Sequence, residues 1–165
     1  MAFTVVTPDY VEDDSLAVPA EELVVTHAVG KARAVEGLYV LGVDTTVAID
    51  GLSLGKPADA ADAERMLRRL TGRTHVVHSG LCLRVGAAEH VHTCSTRVTI
   101  RELDDAGLGW YLSSGEWRER AGSYAIQGLG AALVTAIEGD YTNVVGLPVT
   151  ALIDAVREVS PPVGC

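Results

Sequence analysis

The sequence lacks the features that mark several common protein classes. Its three cysteines, Cys82, Cys94 and Cys165, form no Cys-x-x-Cys pair, so neither a disulfide framework nor a four-thiolate zinc site is predicted. We expect them to be buried or incidental thiols. No apolar run is long enough to span a bilayer, and the first residues do not read as a signal peptide. These absences predict a soluble, cytoplasmic protein that does not act at a membrane.

Positive charge is also scarce. The chain has 13 Lys and Arg against 22 Asp and Glu, a net charge of −9. Such a surface repels a nucleic-acid backbone, so any phosphate compound that binds is expected to be small and held by local cations. The Walker-type phosphate loop, the Gly-x-Ser-x-Gly elbow and a Gly-x-Gly-x-x-Gly after a strand are absent too. A nucleotide site, if present, must therefore be built differently.

What the sequence does contain is enough apolar material for one core and no linker that divides it. With 165 residues and 48% apolar content, we expect a single domain over residues 1–165. Periodicity and turn residues predict strands over 3–6, 38–43, 46–52 (a hairpin), 75–85, 90–102 and 132–137, and helices over 19–37, 59–70, 104–114 and 149–158. The predicted fold is α/β of the mixed α+β kind, with a long, partly antiparallel sheet flanked by helices.

Four charged residues are candidates for chemistry on phosphates. Asp44 follows an apolar strand and Glu12 lies in an acidic loop, a setting that suits Mg²⁺, which takes one or two carboxylates together with waters and phosphate oxygens. Lys31 and Lys56 are among the few lysines, and an ammonium suits a polyphosphate oxygen. For each of them the pattern alone leaves open an ordinary solvated or turn-capping role.

The histidines give a weaker signal. His90 and His92 are two apart on a predicted strand and would face the same side, which permits a metal pair, although a plain surface position is the alternative. His75 and His78 face opposite sides of their strand, so the pattern predicts no joint role for them.

Several blocks of the sequence are similar to those of one known family. They are the runs 41–47 (LGVDTTV), 54–57 (LGKP), 66–75 (MLRRLTGRTH), 121–128 (AGSYAIQG) and 139–148 (GDYTNVVGLP). In this order and at these separations, the chain resembles the Maf family of nucleoside-triphosphate pyrophosphatases. The resemblance extends from near the start to Pro148, and it implies the fold of the inosine-triphosphate pyrophosphatases.

The resemblance also implies a reaction and roles for named residues. The reaction is cleavage of a nucleoside triphosphate to the monophosphate and pyrophosphate with a divalent cation, Mg²⁺ or Mn²⁺. Asp44 would match the catalytic carboxylate, Glu12 and Asp44 the metal ligands, and Lys31 and Lys56 the basic positions that face the phosphates. Gln127 would match the glutamine that reads the base as a buried amide, which implies dTTP and UTP as substrates. A homodimer is implied as well.

One departure from the family pattern affects the expected activity. The family opens with a strand, a Ser-x-Ser-x-Arg-Arg loop and a helix, whereas this chain starts at what resembles the next strand. Without the arginine contacts of that loop, transition-state stabilisation and turnover are expected to be weaker. The alternative function is therefore a catalytically impaired nucleotide-binding or interaction protein that is involved in septum formation or the control of cell division.

Overall fold

The computed structural model describes residues 2–14 and 16–159, so Cys165 lies outside the described residues. Five strands form one sheet in the order β2-β1-β3-β4-β5, and every neighbouring pair is antiparallel. The elements are α1 (Ala20–Arg33), β1 (Tyr39–Ile49), β2 (Leu52–Leu54), α2 (Ala60–Leu70), β3 (Thr74–Val85), β4 (Ala88–Ile100), α3 (Asp105–Ser114), β5 (Val134–Glu138), α4 (Tyr141–Val145) and α5 (Val149–Val159). The predicted mixed α/β class with antiparallel strands is confirmed.

Local sequence explains where these elements begin and turn. Asp50 and Gly51 both have positive φ, 54° and 75°, and they close the two-residue hairpin between β1 and β2. Asp59 caps α2, because its side chain accepts a hydrogen bond from the backbone N–H of Asp62 at 2.8 Å. Asp104 caps α3 in the same way. Each of these predicted boundaries agrees with the structure to within a residue or two.

Helix α1 lies unusually close to the sheet because two strands carry glycine beneath it. A Cβ at Gly42 of β1 would overlap the backbone of Ala28 and Ala32, and a Cβ at Gly80 of β3 would overlap the backbone of Val24. The absent side chains let helix backbone and sheet backbone touch. This contact brings the last turns of α1 beside the middle of β1.

The main hydrophobic cluster joins the sheet to α2, α3 and the segments that follow α3. Its buried members include Val47, Leu67, Val77, Val98, Ile100, Leu108, Tyr111, Tyr124 and Leu133. Two smaller clusters lie under α1 and α5, and the first of them includes the buried Cys82. In the described part of the chain, no helix combines the length and apolar character that a bilayer crossing requires.

Two predicted boundaries at the start of the chain are wrong. Residues 3–6 form no strand, and Phe3 and Val5 are 83% and 84% exposed. An alternating apolar pattern makes a strand only where a sheet edge pairs with it, and neither described edge does so here. Helix α1 ends at Arg33, before the predicted Gly37, because the chain must turn there to enter β1.

Candidate active site

A cleft of about 570 Å³ opens beside the part of β1 that extends beyond the short strand β2. Its walls come from the segment before α1, from α1, β1, β3 and the turn after β2, and from the segment between α3 and β5 and the end of α4. All five residues predicted for the site lie on these walls: Glu12, Lys31, Asp44, Lys56 and Gln127. The structure thus brings together residues from five separate segments, and their chemical roles stay predictions.

Three charged residues form a compact cluster that we call the acidic side of the cleft: Glu12, Lys31 and Asp44. The Lys31 ammonium donates a hydrogen bond to Asp44 Oδ1 at 2.6 Å and lies 2.7 Å from Glu12 Oε1. The Lys31 side chain is 19% exposed and that of Asp44 is 12% exposed, so this pair is largely shielded from water, whereas the Glu12 side chain is 35% exposed. One cation thereby holds two carboxylates together.

Proton affinities in this cluster follow from its geometry. Burial disfavours the charged form of Lys31, but hydrogen bonds to Asp44 and Glu12 outweigh it, so the pKa of Lys31 is raised. Burial likewise acts to raise the pKa of Glu12, yet the hydrogen bond and charge of Lys31 outweigh it and lower that pKa. Lys31 and Glu12 are therefore both charged at neutral pH.

The acidic side fits a hard divalent cation. Glu12 and Asp44 already converge on one positive group, the Lys31 ammonium, and both offer carboxylate oxygens. Mg²⁺ typically takes one or two such carboxylates and completes its shell with water and substrate phosphate oxygens. Among residues 2–14 and 16–159, no group of three or more Asp, Glu, His or Cys side chains could hold a metal. A pair of carboxylates that shares the cation with the substrate is the arrangement that these residues allow.

Lys56 lines the cleft from the turn after β2. Its side chain is 60% exposed, and its ammonium lies 3.5 Å from Glu119 Oε2, which is itself 82% exposed. A surface pair of this kind holds the lysine only weakly. The Lys56 ammonium is thus free to turn toward an anion in the cleft.

Gln127 lies on the wall formed by residues 116–130, which we call the loop side. The expectation of a buried amide is wrong, because Gln127 is exposed in this structure. It immediately precedes a 3₁₀ turn over Gly128–Ala132. Its amide therefore faces solvent beside the cleft, where it can both donate and accept hydrogen bonds.

Sequence reasoning missed the residue that shapes this wall. Glu116 accepts hydrogen bonds from the backbone N–H groups of Leu129 and Gly130, at 3.0 and 3.1 Å. Gly128 has φ 66°, and a Cβ there would press on the Glu116 carboxylate. Glu116 thus fixes the turn that follows Gln127. The sequence around Glu116 gave no sign of these backbone partners.

Two buried aromatic residues anchor the same wall from below. The Tyr124 hydroxyl lies 2.7 Å from His75 Nε2 in the core, and Tyr111 accepts a hydrogen bond from the Ala125 backbone N–H at 3.0 Å. Burial lowers the pKa of His75 to about 4 and raises that of Tyr124. His75, to which the sequence assigned no joint role with His78, is therefore a neutral core partner of the loop side.

At the floor of the cleft, the hydroxyl group of Thr45 in β1 contacts two other elements. Thr45 Oγ1 lies 2.7 Å from Ser79 Oγ and donates a longer hydrogen bond, 3.4 Å, to the Gly146 carbonyl. These contacts tie β1 to β3 and to the end of α4. Because Thr45 follows Asp44, they also restrain the strand that carries the Asp44 carboxylate.

The remaining histidine pair lies away from the cleft. His90 and His92 face the same side of β4, as predicted, and both reach Glu158 of α5, at 3.1 and 3.6 Å. Since no group of three or more potential ligands in the described residues could hold a metal, this contact favours the alternative of an ordinary surface position for the pair.

Comparison with known proteins agrees with the family resemblance that the sequence motifs indicated. The family model described as "Maf-like protein" matches residues 1–159. The chain belongs to the Maf family.

Individual relatives of this Maf chain are similar over most of their length. A protein of Nitratidesulfovibrio vulgaris named dTTP/UTP pyrophosphatase is 48% identical over 157 residues, which cover 91% of this chain and 74% of that protein. Proteins of the same name from Symbiobacterium thermophilum and Thermus thermophilus are each 44% identical, and they cover 98% and 85% of this chain. The matched segments make up 85% and 75% of those two relatives. Every segment that lines the cleft falls within the family match.

Proposed function

We propose that this Maf chain is a metal-dependent pyrophosphatase that hydrolyses dTTP and UTP to the monophosphate and pyrophosphate. The observation that carries the proposal is the convergence of Glu12 and Asp44 on Lys31 in a cleft large enough for a nucleotide. The printed names of the three relatives supply the substrate pair.

Asp44 is the proposed base. Its carboxylate is largely shielded from water, and it projects from a strand whose neighbouring residue, Thr45, is tied to two other elements. A carboxylate fixed in this way can orient a water molecule toward a phosphorus atom and accept its proton. The Lys31 ammonium, in contact with this carboxylate, would also compensate part of the charge that accumulates on the phosphates.

Glu12 and Asp44 would hold the divalent cation. Bound there, Mg²⁺ or Mn²⁺ would make water a better nucleophile and neutralise charge on the leaving pyrophosphate. Glu12 is ready for this role, since its lowered pKa keeps it ionised at neutral pH.

The other two residues are proposed to position the substrate. Lys56, held only by an exposed ion pair, can move its ammonium onto a phosphate oxygen. Gln127, on the loop side, can pair its amide with the edge of a pyrimidine, donating one hydrogen bond and accepting another. The 3₁₀ turn after Gln127 and the Glu116 contacts hold that amide at the mouth of the cleft.

We further propose that the protein works as a homodimer in the cytoplasm. The dimer follows from the resemblance to the family, and light scattering on the purified protein would test it directly. The location is tested separately by cell fractionation.

The proposal is tested by measuring products from a panel of nucleotides. The purified chain is incubated with dTTP, UTP, dATP and GTP in Mn²⁺ or Mg²⁺, and nucleotide products are separated by ion exchange. We expect dTMP and UMP with pyrophosphate, and no products once EDTA is added. Equal rates on all four nucleotides would refute the pyrimidine assignment, and release of single phosphates would refute the reaction.

The same samples test the non-catalytic alternative. A protein that only binds nucleotide is stabilised by dTTP without consuming it, because a ligand that binds the native state alone raises the unfolding temperature. A rise in the unfolding temperature with intact dTTP after long incubation would decide for that alternative.

A further inference from the structure

The segment that carries Glu12 has no helix or strand of its own, yet one aromatic side chain in it is docked on α1. The Tyr10 hydroxyl lies 2.9 Å from Nδ1 of His27, a residue that is 1% exposed. The two rings meet edge to face, with centroids 5.8 Å apart and planes at 65°. Tyr10 is thus the point at which an otherwise exposed segment enters the folded structure.

Helix α1 makes room for this ring with a glycine. A Cβ at Gly30 would overlap three atoms of the Tyr10 ring, so any other residue at that position would displace it. Glycine is unfavourable in a helix interior compared with alanine. Gly30 therefore weakens α1 locally, but it leaves the space in which the Tyr10 ring packs; we call this space the seat of Tyr10.

A second contact holds the segment on the far side of Glu12. Asp14 Oδ1 faces Nε2 of the same histidine, His27, at 3.4 Å, and the other Asp14 oxygen lies against Gly55, beside Lys56. His27 therefore faces Tyr10 with one ring nitrogen and Asp14 with the other, and these two contacts lie on either side of Glu12 in the sequence.

We propose that Tyr10, His27 and Gly30 form a clamp that positions Glu12 for metal binding. None of the three needs to touch substrate or metal, so they are positioning residues. The inference rests on the proposed function, in which Glu12 is a metal ligand. By ordering residues 10–14 before the metal arrives, the clamp removes an ordering cost from the binding step.

The sharpest test is Gly30→Ala, which pushes the Tyr10 ring away and leaves every charged group in place. We expect the dissociation constant for Mn²⁺, measured by electron paramagnetic resonance of free Mn²⁺ without nucleotide, to rise about tenfold, as for other residues that orient a metal ligand. Helix propensity favours alanine, so a loss of helix stability would not explain this result.

Gly109→Ala is the matched control. Gly109 also lies within a helix, α3, but a Cβ there meets no atom within 4 Å. It gives the same gain in helix propensity without any overlap, so Mn²⁺ affinity should equal that of the unmodified protein. Equal Mn²⁺ affinities for the Gly30→Ala and Gly109→Ala variants would overturn the clamp.

Two double variants show which residue transmits the effect. If the overlap acts through the Tyr10 ring, Gly30→Ala should cause no further loss of Mn²⁺ affinity in a protein that already carries Tyr10→Ala. If it acts through Glu12, it should likewise cause no further loss in a protein that carries Glu12→Gln. Additive losses in either pair would mean that Gly30→Ala disturbs something else, Lys31 for example, and would refute the inference.

Failure of the clamp is distinguishable from failure of the proposed function. If the unmodified chain hydrolyses dTTP and Glu12→Gln weakens Mn²⁺ binding, while Gly30→Ala does not, only the clamp is wrong. If the unmodified chain binds no Mn²⁺, or Glu12→Gln leaves Mn²⁺ affinity unchanged, the assigned role of Glu12 fails and the clamp fails with it.

Discussion

The two sides of the cleft are held in place by different kinds of contact. On the acidic side, charged side chains hold one another, with Lys31 between Glu12 and Asp44. On the loop side, side chains hold backbone: Glu116 accepts from two N–H groups and Tyr111 from a third. The first arrangement depends on charge, and the second depends on the path of the chain.

This difference predicts how each side fails. Removing a charge from the acidic side changes the chemistry, while the backbone stays where β1 and α1 place it. Removing an acceptor from the loop side takes a hydrogen bond away from a backbone N–H group, which costs stability before it affects chemistry. Substitutions on the two sides should therefore separate cleanly in activity and in unfolding measurements.

Asp44→Asn should give the largest effect and test the acidic side. The amide keeps the shape of the carboxylate but accepts a proton poorly, so we expect the kcat for dTTP to fall about 10²–10⁴-fold. Lys31 keeps Glu12 as a partner, so the unfolding temperature should change little. A variant that retains more than a tenth of the normal kcat would contradict the proposed base.

The pH dependence of stability should test the buried His75–Tyr124 contact that supports the loop side. Burial lowers the pKa of His75 from 6.5 to about 4, so its contribution to stability is present above pH 6.5 and is lost as the pH falls toward 4. When the pH falls from 7 to 5, the unfolding free energy of both proteins should drop. The drop should be about 2 kcal/mol smaller in the His75→Phe/Tyr124→Phe variant than in the unmodified chain.

Urea unfolding at the two pH values measures this difference. The double variant removes both hydrogen-bonding partners, which avoids leaving the Tyr124 hydroxyl unpaired. Parallel losses of stability in the two proteins would show that His75 does not carry the acid sensitivity.

Glu116→Gln should give a smaller effect, on stability first. Glutamine has one acceptor oxygen in place of two, so either Leu129 or Gly130 loses its hydrogen bond, at a cost of about 0.5–1.5 kcal/mol in unfolding free energy. Glu119→Gln is the control, because that glutamate is exposed and its ion pair with Lys56 is long. Discrimination between dTTP and dATP should fall with Glu116→Gln, and equal stability of the two variants would contradict the assigned contact.

Lys56→Met should give the smallest effect, on KM alone. The Lys56–Glu119 pair is exposed, so its loss should leave unfolding free energy unchanged within about 0.5 kcal/mol. Loss of one phosphate contact should raise the KM for dTTP about fivefold, and the rise should shrink at high salt because the contact is screened. A KM that stays normal at low salt would remove Lys56 from the proposed site.

The sequence predicted most elements because their signals are local. Helix α2 has its Asp59 cap and apolar stripe, and the β1–β2 hairpin has its Asp50-Gly51 turn. The segment over residues 3–6 was wrong for a nonlocal reason, since pairing with a sheet edge decides whether an apolar alternation becomes a strand. Local pattern carries no information on that pairing.

The site residues divide in the same way. The charge pattern made four residues candidates, Glu12, Lys31, Asp44 and Lys56. The family resemblance added Gln127 and supplied the roles of all five, because a family motif already encodes residues that meet in space. Glu116 and Tyr10 were missed because their partners are backbone groups and a buried ring that only the fold brings near. The exposure of Gln127 was also beyond local pattern, because it depends on how the 3₁₀ turn sits on the core.

The two glycines beneath α1 have a consequence for variant libraries of this protein. A methyl group at Gly42 or Gly80 would lift the helix and carry Lys31 and the seat of Tyr10 away from β1 in one movement. Gly42 and Gly80 have no reactive atom, yet we expect them to tolerate replacement as poorly as the carboxylates of the cleft. A screen scored by turnover alone would read them as active-site residues.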